Sequence, residues 1–251
     1  MSGGLESGHL NPVGRDTMSP SLRQARNYYA WIASEFEDVL GRRVLDIGGG
    51  DGPLLEHVLN DTREVTSVDL SAECVAAMEE RYRGHLFRGI AGDVTDAKLA
   101  ASLAAEHFDT IVCVNVLEHI EDDALALCHM AQILRPMAGR LFLLVPAHPA
   151  LYGSPDALAG HYRRYSRRML RDRLSAAGFR IERLRYFNRA GALPYLINSR
   201  ILRPQSLGGG VDRQLVLFDR WVVPVARRVE RWARLPFGQS LVAVANTEGR
   251  A

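Results

Sequence analysis

Apolar residues along the chain recur in short blocks of five to eight, separated by stretches of helical period. The blocks predict strands at Arg43–Ile47, Val65–Asp69, Leu86–Ala91, Thr110–Val114, Arg140–Val145 and Arg180–Phe187, with a last one at Ser240–Ala245. Between them, 3.6-residue spacing predicts helices near 53–60, 72–83, 97–106, 121–134 and 167–177. Ahead of the first strand, Tyr28, Trp31, Ile32 and Phe36 share one face of a helix over 21–40, with Glu35 a polar exception and Gly41 the stop. Regular β-α alternation argues for an α/β fold, a Rossmann-like, doubly wound parallel sheet with helices on both faces.

Two regions depart from this rhythm. Residues 1–20 are rich in Gly, Ser and Pro and are expected to be disordered. Residues 188–239 interrupt the last two strands and are too long and too apolar for a plain loop, so they are expected to fold as a helical insert. Ala190–Leu202 is mostly apolar. Leu215–Trp232 reads as an amphipathic helix interrupted at Pro224, where Arg220, Arg227, Arg228, Arg231 and Arg234 accompany Leu217, Phe218, Trp221, Val222, Val225, Val229 and Trp232. A lid over an acceptor pocket is the expected role, with weak membrane-surface contact second and a dimer face third. The remainder, 21–187 plus 240–251, is expected to form the main domain.

Composition narrows the class. With 47% apolar and 24% charged residues the chain reads as globular rather than disordered. A formal net charge of +2 gives no global bias toward nucleic acid. The basic residues instead cluster in HYRRYSRRMLRDR (161–173), so anion binding is sought there. Cys74, Cys113 and Cys128 form no CxxC pair and read as reduced thiols; with no signal-like N-terminus in this sequence, a cytoplasmic protein is expected. No apolar run approaches the roughly 20 residues that span a bilayer.

The chemistry starts where the first strand runs into VLDIGGGDGPLLEHV. Asp46, Gly48, Gly50 and Gly52 give D-x-G-x-G-x-G, a turn in which glycines permit positive φ and let backbone approach a ligand. Pro53 fits a first helical position. A G-x-G-x-x-G dinucleotide fingerprint fails at either start, because Pro53 or Leu55 stands where the third glycine belongs. Asp69 ends the second strand, with Leu70 beside it, where a carboxylate can accept both ribose hydroxyls of an adenosine; an exposed strand-end acid is the alternative. Asp93 and Val94 follow the third strand, where Asp93 suits either an adenine amine or the cap of the next helix.

These segments, with FDTIVCVNVLEHIEDD (108–123), resemble in order and spacing the cofactor motifs of class I S-adenosylmethionine-dependent methyltransferases. The likeness covers roughly residues 25–187 plus the final strand. It implies a seven-stranded sheet with an antiparallel last strand, S-adenosyl-L-methionine as cofactor with S-adenosyl-L-homocysteine as product, no metal, and a cofactor lying across the strand ends with Asn115 among its contacts. Gly49 departs mildly from members that carry Cys or another small residue there. VPAHPALYGSPDALAGHYRRYSRRMLRDRLSAAGF (145–179), NVLEHIEDD and LPFGQSL resemble a bacterial subgroup of these enzymes.

That likeness implies an enzyme that methylates O, N or C of a small-molecule or lipid-linked metabolite, with secondary metabolism as context. A non-catalytic scaffold and a cofactor-dependent cyclase are the alternatives. The segment after the fourth strand lacks the Asn/Asp-Pro-Pro-aromatic motif of nucleobase methylation, which with the charge argues against nucleic acid as acceptor. His119 is the expected base, with helix-start packing the alternative, and His161 a second candidate. Arg164 is expected to bind an anionic acceptor beside Tyr165, before Ser166 as N-cap, while Arg167, Arg168, Arg171 and Arg173 are expected at the surface. His148, Tyr152 and Asn188 are expected along the pocket, as are Tyr29 and Trp31 of the first helix, where ordinary core packing competes.

Overall fold

A computed structural model describes residues 24–197, 210–230 and 236–247. The expectation for 1–20 lies outside them, as do 198–209 and 231–235 of the insert, including Arg231, Trp232 and Arg234. Seven strands form one sheet in the order β3-β2-β1-β4-β5-β7-β6. They are β1 (Arg43–Ile47), β2 (Glu64–Asp69), β3 (Phe87–Ala91), β4 (Thr110–Val114), β5 (Arg140–Pro146), β6 (Phe179–Phe187) and β7 (Ser240–Thr247). Strand β7 slots between β5 and β6 and runs antiparallel to both, while β1 to β5 pair in parallel. The expected seven-stranded sheet with its reversed last strand is therefore present.

Alternation along the strands builds two cores. Leu45, Ile111, Cys113, Leu141, Leu143, Leu241 and Ala243 face one side, covered by α3 (Ala97–Ala104), α4 (Asp123–Leu134) and α6 (Arg167–Ala176). Val44, Val112, Phe142, Leu144, Val242 and Val244 face the other, covered by α1 (Arg26–Ala33), α2 (Ala72–Arg81) and, from the insert, α9 (Val223–Glu230). Each of four helices begins on a short side chain that accepts a first-turn amide: Ser71 from Cys74, Asp96 from Lys98 and Leu99, Asp122 from Leu125, and Ser166 from Met169. Asp96, not Asp93, caps α3. Cys74, Cys113 and Cys128 are free thiols, the first two buried.

Two helix expectations are corrected. The pattern at 53–60 closes only one 3-10 turn, Leu55–His57, because Asn60 Oδ1 accepts the amides of Thr62 and Arg63 and turns the chain early. The helix expected over 21–40 ends at Ala33: Ser34 Oγ donates to the Trp31 carbonyl, and tight turns carry the chain to Leu40. Glu35 on this stretch is buried because Arg185 of β6 pairs with its carboxylate and Arg183 donates to its carbonyl.

The insert supplies α7 (Arg189–Ile197), α8 (Gly210–Leu217), a π-helical turn (Phe218–Val222) and α9. Carboxylates at two helix starts fix it, one to the main domain and one between its own two ends. Asp219 accepts the amides of Asn27 and Tyr28 at the start of α1, which has no cap of its own. Glu230 accepts the Arg189 amide at 2.5 Å at the start of α7. Both place negative charge where helix dipoles favour it. Among the described residues no helix is long and apolar enough to cross a membrane.

Trp31 is 2% exposed and tilts against Phe187 at 4.4 Å between ring centres. Trp31→Ala should therefore cost about 3–5 kcal/mol of stability, the range for large-to-small core truncations. Chemical denaturation checks this; a loss under about 1 kcal/mol would mean the indole is not part of the core.

Candidate functional site

The carboxyl ends of the parallel strands, where open α/β sheets bind ligands, carry both the glycine turn and a cavity. In the turn, Gly48, Gly50 and Gly52 all have positive φ, at 73°, 55° and 77°. Nothing lies within 4 Å of where a Cβ on Gly50 would point, so this glycine leaves open space above the turn. Gly49 is constrained in the opposite sense. A Cβ there would run into the Ser67 hydroxyl, the Asp46 carboxylate at 2.6 Å and the Met78 sulfur at 2.9 Å, so a larger residue does not fit here unless these neighbours shift. Tyr82 donates to the Gly52 carbonyl at 2.5 Å and anchors the far side of the turn.

Three carboxylates line the strand ends. Asp46 is 3% exposed and accepts from Ser67 Oγ at 2.7 Å; burial pushes its pKa up to about 7 despite that bond. Asp69 accepts the Gly50 amide at 2.9 Å and the Ser71 amide at 2.8 Å, fastening the glycine turn to the tip of β2. Each oxygen keeps a further lone pair for a ligand. Register sets Asp69 beside Ala91, so exposed Asp93 sits at the neighbouring tip, one residue before buried Val94. Buried His129 of α4 bonds the Val94 carbonyl at 2.8 Å and fixes this loop. Leu70 is 53% exposed beside Asp69.

The cavity, about 320 Å³, opens from the glycine turn toward β4, β5 and the insert. Asp46, Gly48, Asn115, His119, His161, Arg164, Asn188 and Tyr29 of the expected residues line it. Apolar walls come from Leu54, Val114, Pro146, Pro155, Ala159 and, from the insert, Leu215, Phe218 and Val223. A larger, shallow depression of about 510 Å³ between α4 and α6 lies among Cys128, Met169 and Asp172, away from the strand ends.

Opposite the glycine turn stands a linked acid–histidine group. Asp156, from α5 (Ser154–Leu158), accepts from His161 Nδ1 at 2.9 Å, from Arg164 Nε at 2.8 and 3.0 Å, and from Tyr195 Oη at 2.5 Å. Burial alone would raise its pKa, but the bonds from His161, Arg164 and Tyr195 hold it down to about 2. Asp156 is thus an anion that only accepts, which makes His161 Nδ1 the donor, so that in the neutral ring Nε2 is the nitrogen that carries the lone pair. That Nε2 lies 4.0 Å from Glu118 Oε1. Glu118 is 1% exposed, and neither carboxylate oxygen has a hydrogen-bond partner among the described residues; burial pushes its pKa up to about 7. The His119 ring stands edge-on to His161 at 4.6 Å, and burial lowers its pKa to about 4, so it is neutral. Glu118, His119 and His161 bring their ligand atoms within 4.8 Å of one another.

Several acceptor-side expectations are corrected. Trp31 and Tyr165 are core: Tyr165 is fully buried, its hydroxyl bonded to Asp123 Oδ2 at 2.9 Å. His148 stacks flat on Tyr186 outside the cavity. Tyr152 donates to the His161 carbonyl at 2.7 Å and supports the loop from behind. Arg164 reaches the cavity already paired with Asp156, with Nη1 on the Ala147 carbonyl and its guanidinium 3.9 Å from the Tyr195 ring centre. The basic run is consumed in the same way: Arg163 bonds the carbonyls of Ile120 and Glu121, and Arg173, expected at the surface, pairs with buried Asp123 at 2.7 Å. Sequence reasoning missed Asp156, Glu118 and Tyr195. Glu118 left a signal, an acid directly after the apolar pair Val116-Leu117 in the segment that leaves the fourth strand. Tyr28 also went unassigned; it lines the cavity with Asn115, Asn188 and Ser240, and burial with nearby Glu118 raises its pKa to about 12.

Residues 21–184 match the family model described as a methyltransferase domain. The chain belongs to this methyltransferase family. Among curated proteins it is 37% identical over 107 residues to a ubiquinone biosynthesis O-methyltransferase of Aromatoleum aromaticum, covering 41% of this chain and 43% of that one. The chain spans about half the length of the curated relatives it matches. Its fold is that of class I S-adenosylmethionine-dependent methyltransferases. A SAM-dependent methyltransferase from Archaeoglobus fulgidus superposes with a TM-score of 0.56 at 16% identity, over 87% of this chain and 94% of that one. The [4+2]-cyclase SpnF superposes with 0.58 at 17% identity, over 90% and 81%. The glycine turn, through Gly48, and the Asp156 group, through His161 and Arg164, border the same cavity.

Glu118 sets a pH dependence. Below its ordinary value of 4.5 it is neutral whether folded or not; as pH rises toward about 7 the unfolded chain ionises it first, and the native state loses stability. Glu118→Gln is always neutral, so its advantage over the wild type should grow from pH 4.5 to about 7, by up to about 1.4 kcal/mol per pH unit, and level off above. Thermal melts across the range test this; a difference that does not change with pH would contradict an acid whose burial raises its pKa.

Proposed function

We propose that this protein transfers a methyl group from S-adenosylmethionine to a hydroxyl oxygen of a small-molecule or lipid-linked acceptor, with His161 as general base. The observation that carries this reading is His161 at the cavity wall, held by anionic Asp156 with Nε2 left as a proton acceptor. An alcohol or phenol holds its proton at neutral pH, so it needs such a base, whereas a carbanion-like or free-amine acceptor does not. The curated relatives, named O-methyltransferases, support the same choice.

The glycine turn fits the cofactor: open space above Gly50, positive φ at three glycines and lone pairs left on Asp69 suit an adenosine with its ribose on Asp69 and its base near Asp93 and Val94. Asp46, Gly48 and Asn115 border the same cavity and suit the amino-acid end. When bound, S-adenosylmethionine supplies a methyl carbon already activated by its sulfonium. The protein's work is therefore to align the acceptor, exclude water and take its proton. His161 Nε2 takes the hydroxyl proton, and Asp156 steadies the resulting cation. Neutral His119 holds the ring of His161 in place through its edge-on contact. Glu118, 4.0 Å away, can accept the proton onward.

The insert suits the role of a lid. Leu215, Phe218 and Val223 give the acceptor side an apolar roof, and Tyr195 reaches Asp156 from α7. An acceptor with an apolar body matches those walls. Arg164, neutralised by Asp156, does not call for an anionic one.

Asp69→Ala should weaken S-adenosylhomocysteine binding by about 1.5–3 kcal/mol while the fold is kept, as for loss of hydrogen bonds to a charged acceptor. Calorimetry giving unchanged affinity would sink the ribose assignment. His161→Asn should lower turnover by about 10²–10⁴-fold with S-adenosylhomocysteine affinity unaltered. The assay is labelled-methyl transfer to a panel of hydroxylated acceptors with and without alkyl chains. Full activity in the variant would remove His161 from the chemistry.

A further inference from the structure

The segment that roofs the cavity is apolar on two sides. Its inner side packs: Val223 and Ala226 are buried against the sheet, and Phe218 lines the cavity. Its outer side does not. Leu217, Trp221, Val225 and Val229 follow one another every four residues through the π turn and α9, and are 53, 64, 61 and 56% exposed. A helix on a globular surface ordinarily turns its polar face outward. Here the outward stripe is aliphatic and aromatic. Leu193 of α7, 64% exposed, adds to the apolar surface of the insert.

The charges on this segment are sorted. Arg220 and Arg228 are exposed, next to Trp221 and Val229 in sequence, and the Arg220 guanidinium lies 5.2 Å from the Trp221 ring centre. The acids turn inward: Asp219 is spent on Asn27 and Tyr28, and Glu230 on Arg189. Among described residues 214–230, the exposed charged side chains are thus both cationic. Tryptophan and aliphatic residues flanked by arginine suit the boundary between acyl chains and anionic headgroups, where the apolar stripe sinks in and the guanidinium groups stay with phosphate. A second copy of this chain fits less well, because a symmetric contact through the stripe would bring the same two arginines face to face.

We propose that the outer face of 217–229 docks on an anionic lipid surface. The docked helix would then carry the membrane on one side and the acceptor cavity on the other, so an acceptor with a lipid tail would meet the cavity at the interface. The docking itself rests on the surface alone and not on the methyl-transfer reading, and its test needs no cofactor.

The full chain is sedimented with vesicles of phosphatidylcholine, and with vesicles containing about a third phosphatidylglycerol, at low and high salt. Partitioning onto the anionic vesicles should exceed that onto neutral ones by about tenfold at low salt and fall sharply at high salt. Arg220→Gln and Arg228→Gln should each weaken anionic binding about fivefold. Trp221→Ser with Val225→Ser should abolish binding while melting temperature holds, since both side chains already face solvent. Failure to bind anionic vesicles would overturn the proposal, as would binding that these variants leave unchanged. Self-association removed by Trp221→Ser, with no vesicle binding, would assign the stripe to a second copy instead.

Discussion

The cavity side of this protein is organised by one buried carboxylate. Asp156 gathers donors from three places: His161 and Arg164 on the segment after α5, Tyr195 on the insert, and the Gly153 amide at the start of its own helix. A buried anion with a single partner would be costly, and removing any one donor leaves the others to share an uncompensated charge. The full set makes the charge tolerable, and in doing so it fixes the histidine tautomer, neutralises Arg164 and tethers α7 over the cavity. Loop, base and lid are positioned by the same four hydrogen-bonded groups.

Across the cavity a second carboxylate does a related job with backbone alone. Asp69 ties the Gly50 amide to the tip of β2, so the glycine turn is held open by a strand rather than by a following helix. This explains how the turn keeps its form although only one 3-10 turn follows it. The two acids differ in what they have left to give: Asp156 is saturated by three side chains and the Gly153 amide, while Asp69 accepts only two backbone amides and retains acceptor capacity.

The sheet was almost wholly legible from sequence, and the reason is physical. Strands buried on both faces must be continuous apolar runs, so β1 and β4 are bounded where their hydrophobicity stops. The helices that follow Ser71, Asp96, Asp122 and Ser166 were equally readable from their 3.6-residue spacing, and Ser166 also as a cap, whereas the cap of α3 is Asp96 rather than Asp93. The glycine turn and Asp69 were readable because they are local signals. What escaped is what only tertiary contact creates. Arg164 looks in sequence like an anion receptor, yet Asp156, eight residues away, consumes it. Tyr195 lies 39 residues from the acid it bonds and in a stretch with no motif. Trp31 and Tyr28 sit on one helix, and their spacing could not say which of them turns to the cavity and which to the core.

The position of β7 has a consequence for how the molecule is made. Strand β6 touches the sheet through β7, and β7 is separated from β6 by the whole insert. During synthesis the first five strands can pair as they emerge, but the sixth must wait, its ladder groups unsatisfied, until residues 240–247 leave the ribosome. Closing a gap of this length costs only slowly increasing chain entropy, so the delay is one of time rather than of free energy. For that interval the nascent chain carries an open edge on β5, a template for wrong strand pairing. The arginines of β6, at 180, 183 and 185, make that waiting strand a poor partner for itself, and so guard the chain during the one stage when its final strand is missing.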